Sequence, residues 1–175
     1  MPAESFRVSF VCMGNICRSP MAEIVLRRLA DDAGLGDRIE VESAGTGDWH
    51  VGEPADPRTV DALRRAGYDG EPHRARQFDA SRFGELDLVV ALDRGQLRTL
   101  RGQAPTPEDA AKVRLLQSFD PAARADEQDV PDPYYSDDAT FDRVLGMIER
   151  SAQALFRQLA PALGAAQPRG ARAEP

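Results

Sequence analysis

The stretch Phe6-Arg7-Val8-Ser9-Phe10-Val11-Cys12-Met13-Gly14-Asn15-Ile16-Cys17-Arg18-Ser19-Pro20 decides how the rest of the chain is read. Its first half alternates apolar and polar side chains, the period of a β-strand. Its end, Ser19-Pro20, opens a helix, because proline is tolerated in a first turn where its missing N–H is not needed. Between strand and helix, Cys12 and Arg18 stand six positions apart on one tight loop. A chain turning there wraps its backbone N–H groups into a ring, and the helix dipole adds its positive end. Anions are expected to bind in such a ring. A thiol beside a helix N-terminus and a cation also ionises more readily, so Cys12 is expected to be a nucleophile at neutral pH.

Arginine suits the far end of the loop, since its planar fork can donate parallel hydrogen bonds to two oxygens of one phosphoryl group. Gly14 and Asn15 are residue types that tolerate the left-handed backbone of a tight turn. Other readings of Cys12 and Cys17 stay open at this point: buried small residues, an incidental pair, or two metal ligands. A zinc site would want three or four ligands, and the remaining nitrogen donors of that kind are only His50 and His73.

Beyond the loop, strand and helix patterns alternate, which implies α/β architecture with a parallel sheet covered on both faces. Strands are expected near Arg7–Cys12, Arg38–Ser43, Asp87–Leu92 and Lys112–Leu115. Helices are expected over Ser19–Ala33, ending at Gly34, and from Asp56-Pro57 to Ala66-Gly67, a cap followed by proline. Arg94–Arg101 reads as a short helix and Glu108–Ala111 as a turn. The last helix, Asp138–Leu163, spaces Phe141, Leu145, Ile148, Ala152, Leu155 and Leu159 on one face, a stripe read as core packing. Residues 1–163 read as a single domain without internal repeat, and 164–175, rich in Ala, Gly, Pro and Arg, as a disordered tail.

The chain has 175 residues, a formal net charge of −7 and two cysteines. That charge argues against general nucleic-acid or anionic-membrane binding. Two thiols in one loop leave no disulfide framework and point to a reducing compartment. No apolar run reaches the roughly 18 residues of a membrane span, and Met1–Val11 lacks a signal-peptide pattern. A cytoplasmic location is expected, with unconventional export left open.

The loop Val-Cys-Met-Gly-Asn-Ile-Cys-Arg-Ser-Pro-Met-Ala-Glu, together with Asp132-Pro133-Tyr134-Tyr135 far downstream, resembles the low-molecular-weight protein tyrosine phosphatases. The resemblance runs from about Arg7 to Leu163. Further matching pieces are Ser43-Ala44-Gly45-Thr46, Trp49-His50-Val51-Gly52, His73-Arg74-Ala75-Arg76-Gln77 and Ala91-Leu92-Asp93. It implies a three-layer fold with a four-stranded parallel sheet in the order 2-1-3-4, helices on both faces and a phosphate-binding loop after the first strand.

It also implies roles. Cys12 would attack phosphorus to form a phosphocysteine, Arg18 would clamp the phosphoryl oxygens and Ser19 would donate to the thiolate. Met13, Gly14, Asn15, Ile16 and Cys17 complete the loop, with Asn15 and His73 in its supporting network. Asp132 would protonate the leaving phenolate and then activate water, a sequence one carboxyl can serve. Taken alone, Asp132 reads as a turn residue in a solvated acidic stretch, and its pairing with the cysteine loop reverses that, with Asp129 as the nearest competing carboxyl.

Ile16, Trp49, Tyr134 and Tyr135 would form the substrate pocket, and aromatic walls around a deep anion site favour a phenyl phosphate. A related branch of the family acts on phosphoarginine and carries threonine where this chain has Ile16, so isoleucine favours phosphotyrosine. Family members can close a disulfide between the residues matching Cys12 and Cys17, and a small buried residue is the alternative reading of Cys17. No metal and no cofactor are expected, and the partners would be phosphotyrosine-containing proteins bound by a monomer. Two alternatives remain: a phosphoarginine or small-molecule phosphatase on the same scaffold, and a phosphotyrosine-binding module or redox sensor without turnover.

Overall fold

The computed structural model describes residues 5–126 and 128–164. Its sheet has four strands, β1 Phe6–Cys12, β2 Ile39–Gly45, β3 Leu88–Ala91 and β4 Val113–Leu115, in the order β2-β1-β3-β4. All neighbours run parallel, with Cys12 level with Gly45 and Val11 level with both Ala44 and Ala91. The order expected from the resemblance is therefore the one adopted.

Alternation within β1 divides the core in two. Val8, Phe10 and Cys12 face one layer, where Met21, Leu26, Phe141, Ile148 and Leu155 pack. Val11 faces the other, with Phe78, Phe83, Val89, Leu100 and Val113. The first layer holds α1 Arg18–Asp32, α2 Pro57–Arg65 and α5 Asp138–Gly164; the second holds α3 Arg94–Gln103 and α4 Pro107–Ala111. The stripe Phe141, Leu145, Ile148, Ala152 and Leu155 is buried, as its spacing requires. Gly164 closes α5, and the expected tail from residue 165 onward lies outside the described residues. No described helix is long and apolar enough to cross a membrane.

The helix starts differ in a way that matters for function. Asp56 caps α2 by accepting from Arg58 N–H, Asp93 caps α3 from Gln96 N–H, and Thr106 caps α4 from Asp109 N–H. Each satisfies donors that a helix N-terminus leaves open. The start of α1 has no side-chain cap; Cys17 stands in that position without such a bond. The donors left open there lie where the loop after β1 runs into the helix.

Candidate active site

The loop Cys12–Arg18 is held from outside by its carbonyls. The N–H groups of Thr46 and Gly47 donate to the carbonyls of Cys12 and Met13 at 2.9 Å each, and Asp56 N–H donates to Ile16 at 2.9 Å. Met21 N–H donates to Cys17, and His73 Nε2 donates to Asn15 O at 2.7 Å. With the carbonyls engaged outward, the N–H groups from Met13 to Cys17 have no partner among the described residues. That is the arrangement of an oxyanion nest. Close approach makes it possible: a Cβ on Gly45 would fall 2.6 Å from Met13 O.

Asn15 fastens the loop internally. It adopts φ 59, the left-handed conformation, and is fully buried. Its Oδ1 accepts from Arg76 N–H at 2.9 Å, which orients the amide. Nδ2 then donates to Ser19 Oγ at 2.8 Å and to Ser43 Oγ at 3.0 Å. Ser43 donates in turn to Glu23 Oε1. Having accepted from Asn15, Ser19 can point its own hydrogen at Cys12 Sγ, 3.0 Å away. Burial pushes the His73 imidazole below its ordinary value, so the neutral ring that donates to Asn15 O is favoured.

Arg18 is buried and prepositioned. Nη1 donates to Asp93 Oδ2 at 2.8 Å and to Val130 O at 2.9 Å, and Nη2 lies 3.8 Å from Asp132 Oδ2. Burial works against its charge, but Cys12, Asp93 and Asp132 outweigh it and hold the guanidinium protonated. Cys17 is the opposite case: burial, with Asp56 adding to it, pushes its thiol up to about 12, so it rests protonated behind the loop.

The two competing carboxyls separate clearly. Asp129 accepts from the Arg94 backbone N–H at 2.8 Å and pairs with the Arg94 side chain, which holds it below the usual carboxylate range. Asp132 is half exposed and borders a cavity of ≈ 380 Å³. Cys12, Met13, Gly14, Ile16, Cys17 and Arg18 line that cavity on one side, and Trp49, His50, Tyr134 and Tyr135 complete it. Every residue expected in the pocket is there, and His50 joins them. Tyr134 and Tyr135 meet edge to face at 4.9 Å. Trp49 is 68 % exposed, yet its ring lies against Gly47, where a Cβ would meet it at 1.8 Å.

Sequence reasoning gave no role to Asp93, Ser43, Glu23 or Arg58. Arg58 joins the two halves of the site. It grips Asp56, whose N–H binds the phosphate-loop carbonyl of Ile16, and its Nη atoms donate to Tyr134 O at 2.9 Å and Ser136 O at 3.1 Å. Its guanidinium also lies 4.5 Å from the Phe141 ring. Asp56-Pro57 was legible as a helix cap, but nothing local in the sequence marks Arg58 as a tie across some eighty residues.

The model of the low molecular weight phosphotyrosine protein phosphatases matches residues 7–164 of this chain. The chain belongs to that family. As a protein tyrosine phosphatase it is similar, at 58 % identity over 152 residues, to the low molecular weight protein-tyrosine-phosphatase of Streptomyces coelicolor, with 87 % of this chain and 92 % of the relative covered. YfkJ of Bacillus subtilis superposes with a TM-score of 0.84 at 34 % identity, covering 93 % and 99 % of the two chains. Wzb of Vibrio vulnificus, solved in complex with benzylphosphonate, gives 0.75 at 29 % identity, covering 88 % and 99 %.

Proposed function

We propose that this phosphatase hydrolyses phosphotyrosine through a phosphocysteine on Cys12, with Asp132 as general acid and then base and no metal. The Cys12 thiolate attacks phosphorus, the bond from phosphorus to the phenolic oxygen breaks, and Asp132 gives that oxygen its proton. Water then attacks the phosphocysteine, Asp132 takes the water's proton, and the phosphorus–sulfur bond breaks to return thiolate and phosphate. Arg18 and the open N–H groups of the loop bind the phosphoryl oxygens throughout. Ser19 steadies the thiolate, and Asn15 and His73 keep the loop in shape.

The observation that carries the reading is that Cys12, Arg18 and Asp132 line one cavity, with the Arg18 guanidinium 3.8 Å from Asp132. Ile16, Trp49, Tyr134 and Tyr135 give that cavity apolar walls suited to a phenyl ring, and benzylphosphonate in a relative is a ligand of the same form. Net charge −7 and two free cysteines favour a monomeric cytoplasmic enzyme, acting on proteins without nucleic acid or membrane. Residues 1–163 would form its single domain.

The test is hydrolysis of p-nitrophenyl phosphate with chelator present. Turnover by the wild type, abolished in Cys12→Ser, is expected; turnover that survives the substitution would remove Cys12 from the mechanism. A protective role for Cys17 belongs to the same reading. Peroxide would oxidise Cys12 to a sulfenic acid, and the Cys17 thiol would displace water from it to form a disulfide. Thiol should then restore the wild type fully and Cys17→Ser only partly; equal recovery would exclude that role.

A further inference from the structure

The cavity has a positive floor and a negative rim. Arg18 supplies the floor. Trp49, His50, Asp132, Tyr134 and Tyr135 form its rim, and the mostly exposed segments that carry them, 48–53 and 132–138, hold carboxylates at Asp48, Glu53, Asp137 and Asp138 besides Asp132, and neither Lys nor Arg. Several neighbouring guanidinium groups are committed elsewhere: Arg58 to Asp56 and loop carbonyls, Arg94 to Asp129, and Arg74 to the carbonyls of Glu71 and His73. Glu53 meets the His50 ring at 2.9 Å, and Arg143 in part offsets Asp137. Arg65 in part offsets Asp138, and Asp48 has no ion pair among the described residues.

Apolar surface is interleaved with these charges. Trp49 is 68 %, Val51 56 %, Tyr135 95 % and Met13 46 % exposed, more than a free phenyl phosphate would cover. Trp49 is braced on Gly47, so this surface exists before a substrate arrives.

We propose that the preferred substrates are phosphotyrosine segments flanked by basic and apolar side chains, and that the carboxylate rim disfavours acidic flanks. The proposal rests on the phosphotyrosine reading above. An extended segment advances about 3.3 Å per residue, so positions within two of the phosphotyrosine stay inside a Debye length of roughly 8 Å from it. Each exposed charge pair is worth a factor of about 1.4 to 5, and two acting together give roughly 2- to 30-fold.

The experiment compares kcat/KM for two phosphotyrosine peptides with the same apolar neighbours, one flanked by lysines and one by glutamates, beside p-nitrophenyl phosphate. At about 0.02 M salt the lysine peptide should be favoured by roughly 2- to 30-fold, and at about 0.5 M salt the ratio should shrink. The double variant Asp48→Asn, Glu53→Gln should lower the ratio at low salt. Equal rates for the two peptides, or a ratio untouched by the variant, would overturn the flank preference while leaving the phosphotyrosine reading intact. Turnover of neither peptide would remove that reading and the flank preference with it.

Discussion

The phosphate loop and the loop that carries Asp132 meet over one cavity but are built in opposite ways. The reacting and supporting residues of the first are buried, with Cys12 2 %, Asn15 fully hidden and Arg18 3 % exposed, and its carbonyls are tied to Thr46 and Gly47 after β2, to α1, to the cap of α2 and to His73. The second is mostly exposed and is held at a few points: Val130 N–H on Leu92 O, Val130 O on Arg18, Asp129 on Arg94, and Arg58 on Tyr134 and Ser136. On the mechanism proposed above, the difference teaches a division of labour. A nucleophile and its anion nest work through a field fixed in advance, which rewards an over-determined loop. A proton donor that must meet a leaving group and then a water is better placed on an exposed loop with defined tethers.

Four substitutions or titrations can break or sharpen that contrast. The largest effect is expected of Asp132→Asn, which should slow aryl phosphate hydrolysis by roughly 10²–10⁴ while leaving the melting temperature nearly unchanged. A poor leaving group should suffer most, and equal loss across leaving groups would move the acid elsewhere. Asn15→Ala should act on stability, removing its buried side-chain bonds and placing alanine at φ 59. A loss of about 2–4 kcal/mol in urea unfolding is expected; a loss comparable to a surface change would mean the loop is not held as described.

Arg58→Ala attacks the tie between the two loops. It should lower kcat about tenfold, since rate falls steeply when an acid is misplaced. The smallest effect is pH-dependent. Burial depresses the folded pKa of His73 below 6.5, so on acidification the unfolded chain takes up the proton first. Its stability contribution is complete above about 6.5 and declines as pH falls toward the folded value. Unfolding midpoints at neutral and mildly acidic pH should therefore differ more in the wild type than in His73→Gln.

Much of the fold was legible because local and global signals agree. The alternation Phe6 to Val11, the Asp56-Pro57 cap and the stripe from Phe141 to Leu155 each name their element and their buried face. Strand ends were less so: β2 continues to Gly45 because Ala44 and Gly45 pair with Val11 and Cys12, a fact of the neighbouring strand. The 3-10 turn Ala80–Glu85, capped by Asp79, went unread because its few residues have no periodicity to detect. The lining of the pocket could be read from its motifs, but its supports could not. Asp93, Ser43 and Arg58 act on residues at sequence separations of 75, 28 and 78, and no spacing rule links such partners.

Trp49 is the chain's single tryptophan, and it lies across Gly47 at the cavity mouth, 68 % exposed. The molecule thus carries its own optical probe of occupancy: indole emission should respond when an oxyanion or an aryl group enters the cavity, with no label attached. The same placement makes that emission a poor witness of unfolding, because the ring already sees water in the native state. Binding can be followed by fluorescence, and melting is better followed by circular dichroism of the helices.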